Sequence, residues 1–416
     1  MESDMFFGGP SLQDKTFGSQ DAPDARLVIP GVSKKQQDTW YRRVRMTGLS
    51  RALRKLRVDG LGPFIRRVWE ETNKTEFVEF GIRGCILPLK ISHIHGLHRV
   101  VYAADELLVV CVVRNGEGYV RAFMEHYSKL GVKHFIFLDN GSTDATVQRL
   151  CVYPNVTVLQ TYAKYQYYEN TMKRYLVQQF CRGRWVLCVD IDELFDYPSS
   201  KAVKLASFMR YLSASGFNAV VTQMLDMIPD LPIIKGASCE DIDLKQEYRY
   251  YDLSSITKLP YTYSLTPDPK IAMHFGGMRK RVFGTNNGLT KISLLLMDET
   301  IQPFIHWHHA RNARIADVSC VLLHYPFVHN FYGKVQDAVR TGRYGYLTTD
   351  EYRLYWRGLQ NNGVLEMKTG ACHQLTDIDD LVRNGFLIIS ERYANWVRSL
   401  SPSDCRTEAG IASTSS

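Results

Sequence analysis

With 416 residues, 45% of them apolar and 23% charged, the chain has an ordinary globular composition and the length of one large or two ordinary domains. Its formal charge of +8 is uneven: residues 34–67 hold eleven Lys and Arg against two acids, so the remainder is close to neutral and offers no broad face to nucleic acid. Nine cysteines without a Cys-x-x-Cys pair exclude a zinc ribbon or thioredoxin-type motif and fit a reducing cytosol; no run is apolar enough to span a bilayer, and no signal-peptide core is seen.

Residues 1–38 are polar, lack periodicity and are expected to be disordered. Residues 39–104 read as a basic helical extension, in which Trp40, Val44, Leu49, Leu53 and Leu56 form a ragged apolar stripe among arginines. Such a segment suits an anionic membrane interface; a solvated helix or a protein-docking arm reads equally well from the residues. Regular alternation begins at Asp105. Strands are expected at 107–113, 134–138, 156–162 and 185–192, with helices after Gly118, after Ser142 as N-cap, and over 169–180. Strand–helix alternation with short turns predicts right-handed βαβ units and a largely parallel sheet. A helix over 201–216 and a strand over 219–228 follow, then a long loop to about Phe275. Short strands are expected around 281–283, 292–297, 304–308 and 319–325. Residues 331–400 return to helices, with Thr348-x-x-Glu351 matching a capping box, and 401–416 read as a disordered tail.

Two acidic turns carry the chemistry. Asp190-Ile191-Asp192-Glu193 follows the apolar run Trp185-Val186-Leu187-Cys188-Val189, and alternation along a strand would turn Asp190 and Asp192 to one side. Open α/β sheets bind ligands outside such carboxyl ends, and paired hard oxygens suit Mg²⁺ or Mn²⁺ shared with phosphates. A strand end capped by solvated acids is the plainer alternative. Asp139-Asn140-Gly141-Ser142-Thr143-Asp144-Ala145-Thr146 ends another strand, where a carboxylate can accept from a base N–H or a ribose hydroxyl and the next helix offers free N–H groups. On its own that block is also good turn and cap chemistry.

Together with Val109-Val110-Cys111-Val112-Val113-Arg114-Asn115-Gly116-Glu117, these blocks make the sequence resemble the glycosyltransferase family 2-like enzymes of the GT-A fold, in the branch whose Asp-x-Asp is followed by Glu. The resemblance covers residues 105–200. It extends more weakly through Gly276-Gly277-Met278-Arg279-Lys280-Arg281-Val282-Phe283-Gly284, Lys291, the histidines at 306, 308 and 309, and Leu322-Leu323-His324-Tyr325. It implies an α/β, Rossmann-like nucleotide-diphospho-sugar transferase domain over 105–330, a mixed sheet flanked by helices, with helical extensions at both ends. It further implies that Asp139 meets the nucleoside, with Asn115, Glu117, Asn140 and Ser142 in the same pocket. Asp190 and Asp192 would serve the ribose and a divalent Mg²⁺ or Mn²⁺ ion on the donor diphosphate, and His324 the same metal or the phosphates. In the opening-strand block Gly116 is interposed in what is usually Arg-Asn-Glu.

Arg279, Arg281 and Lys291 are candidates to grip the diphosphate, since guanidinium forks match phosphate oxygens; a solvated charged strand is the equal alternative. His306 and His308 alternate onto one face and are either ligands or structural. Tyr162, Tyr165, Tyr167 and Tyr168 stack on a base or sugar, or pack in the core. For the general base, Glu299 and Asp298 follow the Gly-Gly block, with Asp226, Glu240 and Asp241 as competitors. The expected activity is metal-dependent transfer of a sugar from a nucleotide-sugar donor to a glycan or lipid-linked acceptor, in cell-surface polysaccharide synthesis, in the cytoplasm and peripherally on the inner membrane face. Two other readings stand beside it. One is a haloacid-dehalogenase-like phosphatase with Asp190 as nucleophile, against which Leu194 stands where Thr or Val is wanted. The other is a non-catalytic nucleotide-sugar or membrane-binding module.

Overall fold

Nine strands build the main sheet of the computed structural model. They are β1 (Ile91–His95), β2 (Leu108–Val113), β3 (His134–Asp139), β4 (Val156–Thr161), β5 (Trp185–Cys188), β6 (Glu193–Asp196), β7 (Ala219–Asp226), β8 (Thr290–Leu296) and β9 (Cys320–His324). The structure describes residues 81–236, 243–306, 309–328, 330–360 and 363–406. Contacts divide the chain into two units, Met1–Val78 and Glu79–Ser416, and every described residue lies in the second. The expectations for 1–38, for the basic stripe of 34–67 and for 407–416 fall outside the described residues, as do Glu240, Asp241, His308 and the side chain of His306.

The order across the sheet is β1-β4-β3-β2-β5-β8-β7-β9-β6. β4, β3, β2 and β5 run parallel, whereas β8 is antiparallel to both β5 and β7, and β6 to β9. The sheet is therefore mixed rather than largely parallel. Side chains alternate between two apolar layers. On β2, Val109, Cys111 and Val113 enter one layer and Leu108, Val110 and Val112 the other; on β3, Phe135 and Phe137 oppose Ile136 and Leu138. Helix α1 (Glu117–Leu130) covers the first layer with Val120, Phe123, Met124 and Tyr127. After α2 (Thr146–Leu150), α3 (Tyr165–Phe180) covers the second with Met172, Leu176 and Val177. Helices on opposite faces place the chain's reversal of strand order at the crevice between β2 and β5, where such sheets take ligands.

Helix α4 (Leu205–Ala214) joins the first layer. Helix α5 (Gly277–Phe283), α6 (Phe331–Thr341) and α7 (Tyr346–Leu359) share a third apolar cluster built on Met278, Phe327, Phe331, Val335, Tyr355 and Leu359. The last helices, α8 (Ile378–Arg383) and α9 (Glu391–Arg398), return Leu381 and Tyr393 to the first layer. Among the described residues no helix is long and apolar enough to cross a membrane.

Several local expectations are corrected. The expected strand over 185–192 stops at Cys188. Beyond it the backbone turns, because Asp190 N–H donates to the Glu193 carboxylate and Glu193 N–H to the Asp190 carbonyl. The expected strand around 281–283 is helix α5, entered through Gly276 and Gly277 at φ of 92° and 69° and closed by Gly284 at 74°. The loop expected to Phe275 contains the hairpin Ile256–Pro260 with Ala272–Gly276. Ser142 does not cap α2; Asp144, whose carboxylate accepts from Thr146 N–H, stands nearer that role. The Thr348–Glu351 capping box does not form, since α7 begins at Tyr346.

Candidate functional site

Strand ends fix the site. Because β8 runs against β5 and β7, its N-terminal Lys291 lies at the same sheet edge as the C-terminal ends of β3, β5, β7 and β9. That edge gathers Asp139, Asp190, Lys291, Asp226 and His324, and β6 brings Glu193 opposite His324.

The β2–α1 and β3–α2 turns are laced together. Ser142 Oγ accepts from Asn115 N–H at 2.9 Å, Asn115 Oδ1 from Thr143 N–H at 2.8 Å, and Thr146 Oγ1 from Gly116 N–H at 2.8 Å. The Glu117 carboxylate accepts from Ala145 N–H at 2.7 Å. Asn115 occupies the left-handed region at φ 51°, which Asn tolerates. Asp139 is wholly buried; its carboxylate accepts from Gly141 N–H at 3.1 Å, from Ser142 N–H and from the Gln160 amide at 2.9 Å. Asn140 donates its amide to the carbonyls of Thr161 and Ala163. Asp139 and Asn140 thus brace the turn from inside. What the turn presents outward includes the Tyr162 ring, largely exposed beside Gly141, where a β-carbon on Gly141 would meet it at 3.0 Å. Tyr165 and Tyr168 instead pack against the second layer.

Gly116, the residue that departs from the family pattern, has a steric reason. A β-carbon there would come within 2.9 Å of Val113 and 3.1–3.2 Å of Ile191, so the side chain between Asp190 and Asp192 rests on its backbone.

Across the crevice the acids are held by cations. Lys173 of α3 lies 3.1 Å from Glu169 and 3.4 Å from Asp190 Oδ1, with its side chain only 3% exposed. Lys291 lies 3.0 Å from Asp190 Oδ2 and pairs with Glu193. Lys334 of α6 reaches Asp192 Oδ2 at 2.9 Å. His324 shares a 2.7 Å hydrogen bond with Asp226 through Nδ1 and faces Asp192 through Nε2 at 3.8 Å. Arg279 pairs with Asp226 at 3.1 Å and approaches Glu351 at 3.6 Å. Burial by itself would raise the Asp192 carboxyl, but Lys334 and His324 bring it below its ordinary value; Arg279 and His324 do the same for Asp226. Burial wins at Glu193, which is raised despite Lys291. Burial would lower Lys173, Lys291 and Lys334, and their carboxylate neighbours hold all three above the ordinary lysine value.

The residues expected from the sequence therefore divide. Asp190, Asp192, Lys291, Arg279 and His324 come together at one edge, and Asn115, Glu117, Asp139, Asn140 and Ser142 at the neighbouring turns. Arg281 does not join them: it pairs with Asp252 and bonds the Met367 carbonyl. Glu299 is exposed past the other end of β8, roughly 20 Å from Lys291 at strand rise, out of reach of the acids. Asp298 beside it binds Arg314 and Asn218. Lys173, Lys334 and Glu193 carry more of the site than the sequence reading gave them. Lys173 had one signal, a charge lying between Met172 and Leu176 of an apolar helix face.

The resemblance implies a divalent ion, and the donor set at this edge is already engaged. Both Asp190 oxygens face ammonium groups and Asp192 meets a third. Among the described residues, no group of three or more His, Cys, Asp or Glu is placed to hold a metal. The residues as arranged do not fit that ion.

No protein-family model and no curated protein matches the chain. Among solved structures, the crystal structure of S. aureus TarS aligns at 18% identity and a TM-score of 0.24, over 31% of this chain and 24% of that one, so the chain spans about a quarter of its length. S. aureus TarS 1–349 aligns at 14% identity and 0.29, over 62% and 74%. The same fragment in complex with UDP-GlcNAc aligns at 14% and 0.29, over 61% and 71%. Likenesses this loose carry nothing about activity, which rests on the residues themselves.

Proposed function

We propose that this protein is a nucleotide-sugar-dependent transferase that moves a sugar from a nucleoside-diphosphate donor to a glycan or lipid-linked acceptor, in cell-surface polysaccharide synthesis. One observation carries the reading. A rigid polar turn after β3 and an acid–cation cluster after β5 flank β2 at the reversal of strand order, two strand spacings or roughly 10 Å apart. A nucleoside at the first and its diphosphate at the second span that gap. The Asn115–Ser142 lacing would hold the nucleoside end in shape, Tyr162 would offer a ring to the base, and the cations around Asp190 and Asp192 would meet the phosphates. The basic segment 34–67 would hold the enzyme at an anionic membrane surface, beside a lipid-linked acceptor.

The test is a melting screen of the whole chain against nucleoside diphosphates and sugar nucleotides. A ligand that binds only the folded state raises the melting temperature by mass action. One base should stabilise, both as its diphosphate and as its sugar nucleotide. Hydrolysis of an aryl phosphate with no response to any nucleotide would point to the phosphatase reading instead.

A further inference from the structure

Four carboxylates line the edge, those of Asp190, Asp192, Glu193 and Asp226, and four cations meet them, Lys173, Lys291, Lys334 and Arg279. Each of these carboxylates therefore meets a cation of the chain itself, with Glu169 and Glu351 also sharing Lys173 and Arg279. The four cations differ in freedom. Lys173 and Lys291 are almost wholly buried, and each is held from two sides by a pair of carboxylates. Arg279 is locked between Asp226 and Glu351. Lys334 is different: its side chain is 24% exposed, its ion pair is with Asp192, and it extends from α6, whose apolar face belongs to the third cluster and not to the sheet. A flexible four-carbon stem lets such an ammonium exchange one oxyanion for another.

A divalent ion on the same acids would have to displace Lys334 and then sit beside the ammonium groups of Lys173 and Lys291, in surroundings where like charges are poorly screened. We propose that a side-chain ammonium, in place of a divalent cation, supplies the positive charge that holds the donor's diphosphate: Lys173 and Lys291 position Asp190 and Glu193, and Lys334 leaves Asp192 to contact the phosphates. This rests on the reading of the edge as a nucleoside-diphosphate site.

Calorimetry on the whole chain tests it, with a panel of nucleoside diphosphates and the matching monophosphates, in EDTA and with added Mn²⁺. The affinity of the preferred diphosphate should be unchanged by EDTA. It should exceed that of the monophosphate, and Lys334→Gln should remove that excess, weakening the diphosphate by about tenfold or more while leaving the monophosphate alone. Lys334→Arg, which keeps the charge, should retain most of it and guards against a simple folding defect. Binding that needs Mn²⁺, or a diphosphate excess that Lys334→Gln leaves intact, overturns the assignment but keeps the proposed function. No binding of any nucleotide with or without Mn²⁺ overturns both.

Discussion

The two turns that meet at the β2–β5 crevice are held by opposite chemistry. At the Asp139 turn, short polar side chains accept from backbone N–H groups 27 to 30 residues away or closer, and the polar groups are fixed by the path of the chain. At the Asp190 turn, carboxylates are fixed by long side chains from 101 and 142 residues away, carried on β8 and α6. A turn closed on its own backbone has one arrangement and keeps it. A cluster of ion pairs can change a partner, because a cation such as Lys334 that leaves one oxyanion can serve another. The fixed turn suits recognition, and the exchangeable cluster suits a charge that arrives and departs.

The sharpest way to break this contrast is to remove a cation that cannot move. Lys291→Met leaves the buried Glu193 carboxylate without its cation and should cost about 3–5 kcal/mol in unfolding free energy, read by chemical denaturation. Adding Glu193→Gln should recover a large part of the loss. A single variant costing under about 1 kcal/mol would mean that ion pairing does not hold this turn.

At the other turn, Asp139→Ala leaves two backbone N–H groups and the Gln160 amide without their acceptor and should cost about 2–3 kcal/mol. Asp139→Asn, which keeps one oxygen, should cost less. Equal stability of all three proteins would make the carboxylate a bystander in the turn.

The smallest effect separates the halves by pH. Burial pushes His134 at the start of β3 down to about 4, against 6.5 for an ordinary histidine. As pH falls from 6.5 the unfolded chain takes up this proton first, so stability declines towards pH 4 and levels off below. His126 on α1, lowered by burial and Lys245, acts in the same direction. Asp192 and Asp226 lie below their ordinary 3.8, so their contribution is complete above that value and is lost only in stronger acid. Melting temperatures followed through this range should fall less steeply between pH 6.5 and 4 for His134→Phe than for the parent chain. Parallel curves would remove His134 from the account.

What the sequence made legible follows the same division. The strands at β2, β3 and β5 stood out because apolar runs buried on both faces end abruptly in acids and glycines, and the Asp139 turn because its chemistry is local. The acids at 190 and 192 were visible, but not their counterions, since nothing in a local window joins Lys334 to Asp192 or Lys173 to Asp190. For the same reason Asp190 and Asp192 were drawn on a continuous strand: the bend depends on Glu193 reaching back to a backbone N–H. Met278-Arg279-Lys280-Arg281-Val282-Phe283 alternates well enough to read as a strand, yet two left-handed glycines redirect it into a helix whose Met278 and Phe283 seek the third apolar cluster. Glu299 follows the Gly-Gly block in sequence, and the direction of β8 carries it away from the acids.

The contact between Gly116 and Ile191 has a mechanical consequence. The two turns share no wall of adaptable side chains there; the branched side chain of one stands directly on the bare backbone of the other. Hard surfaces in contact transmit displacement without attenuation. A ligand that shifts the chain at Asn115 would therefore press on the residue between the two acids, so the neighbouring turn is placed to reach the carboxylates by packing.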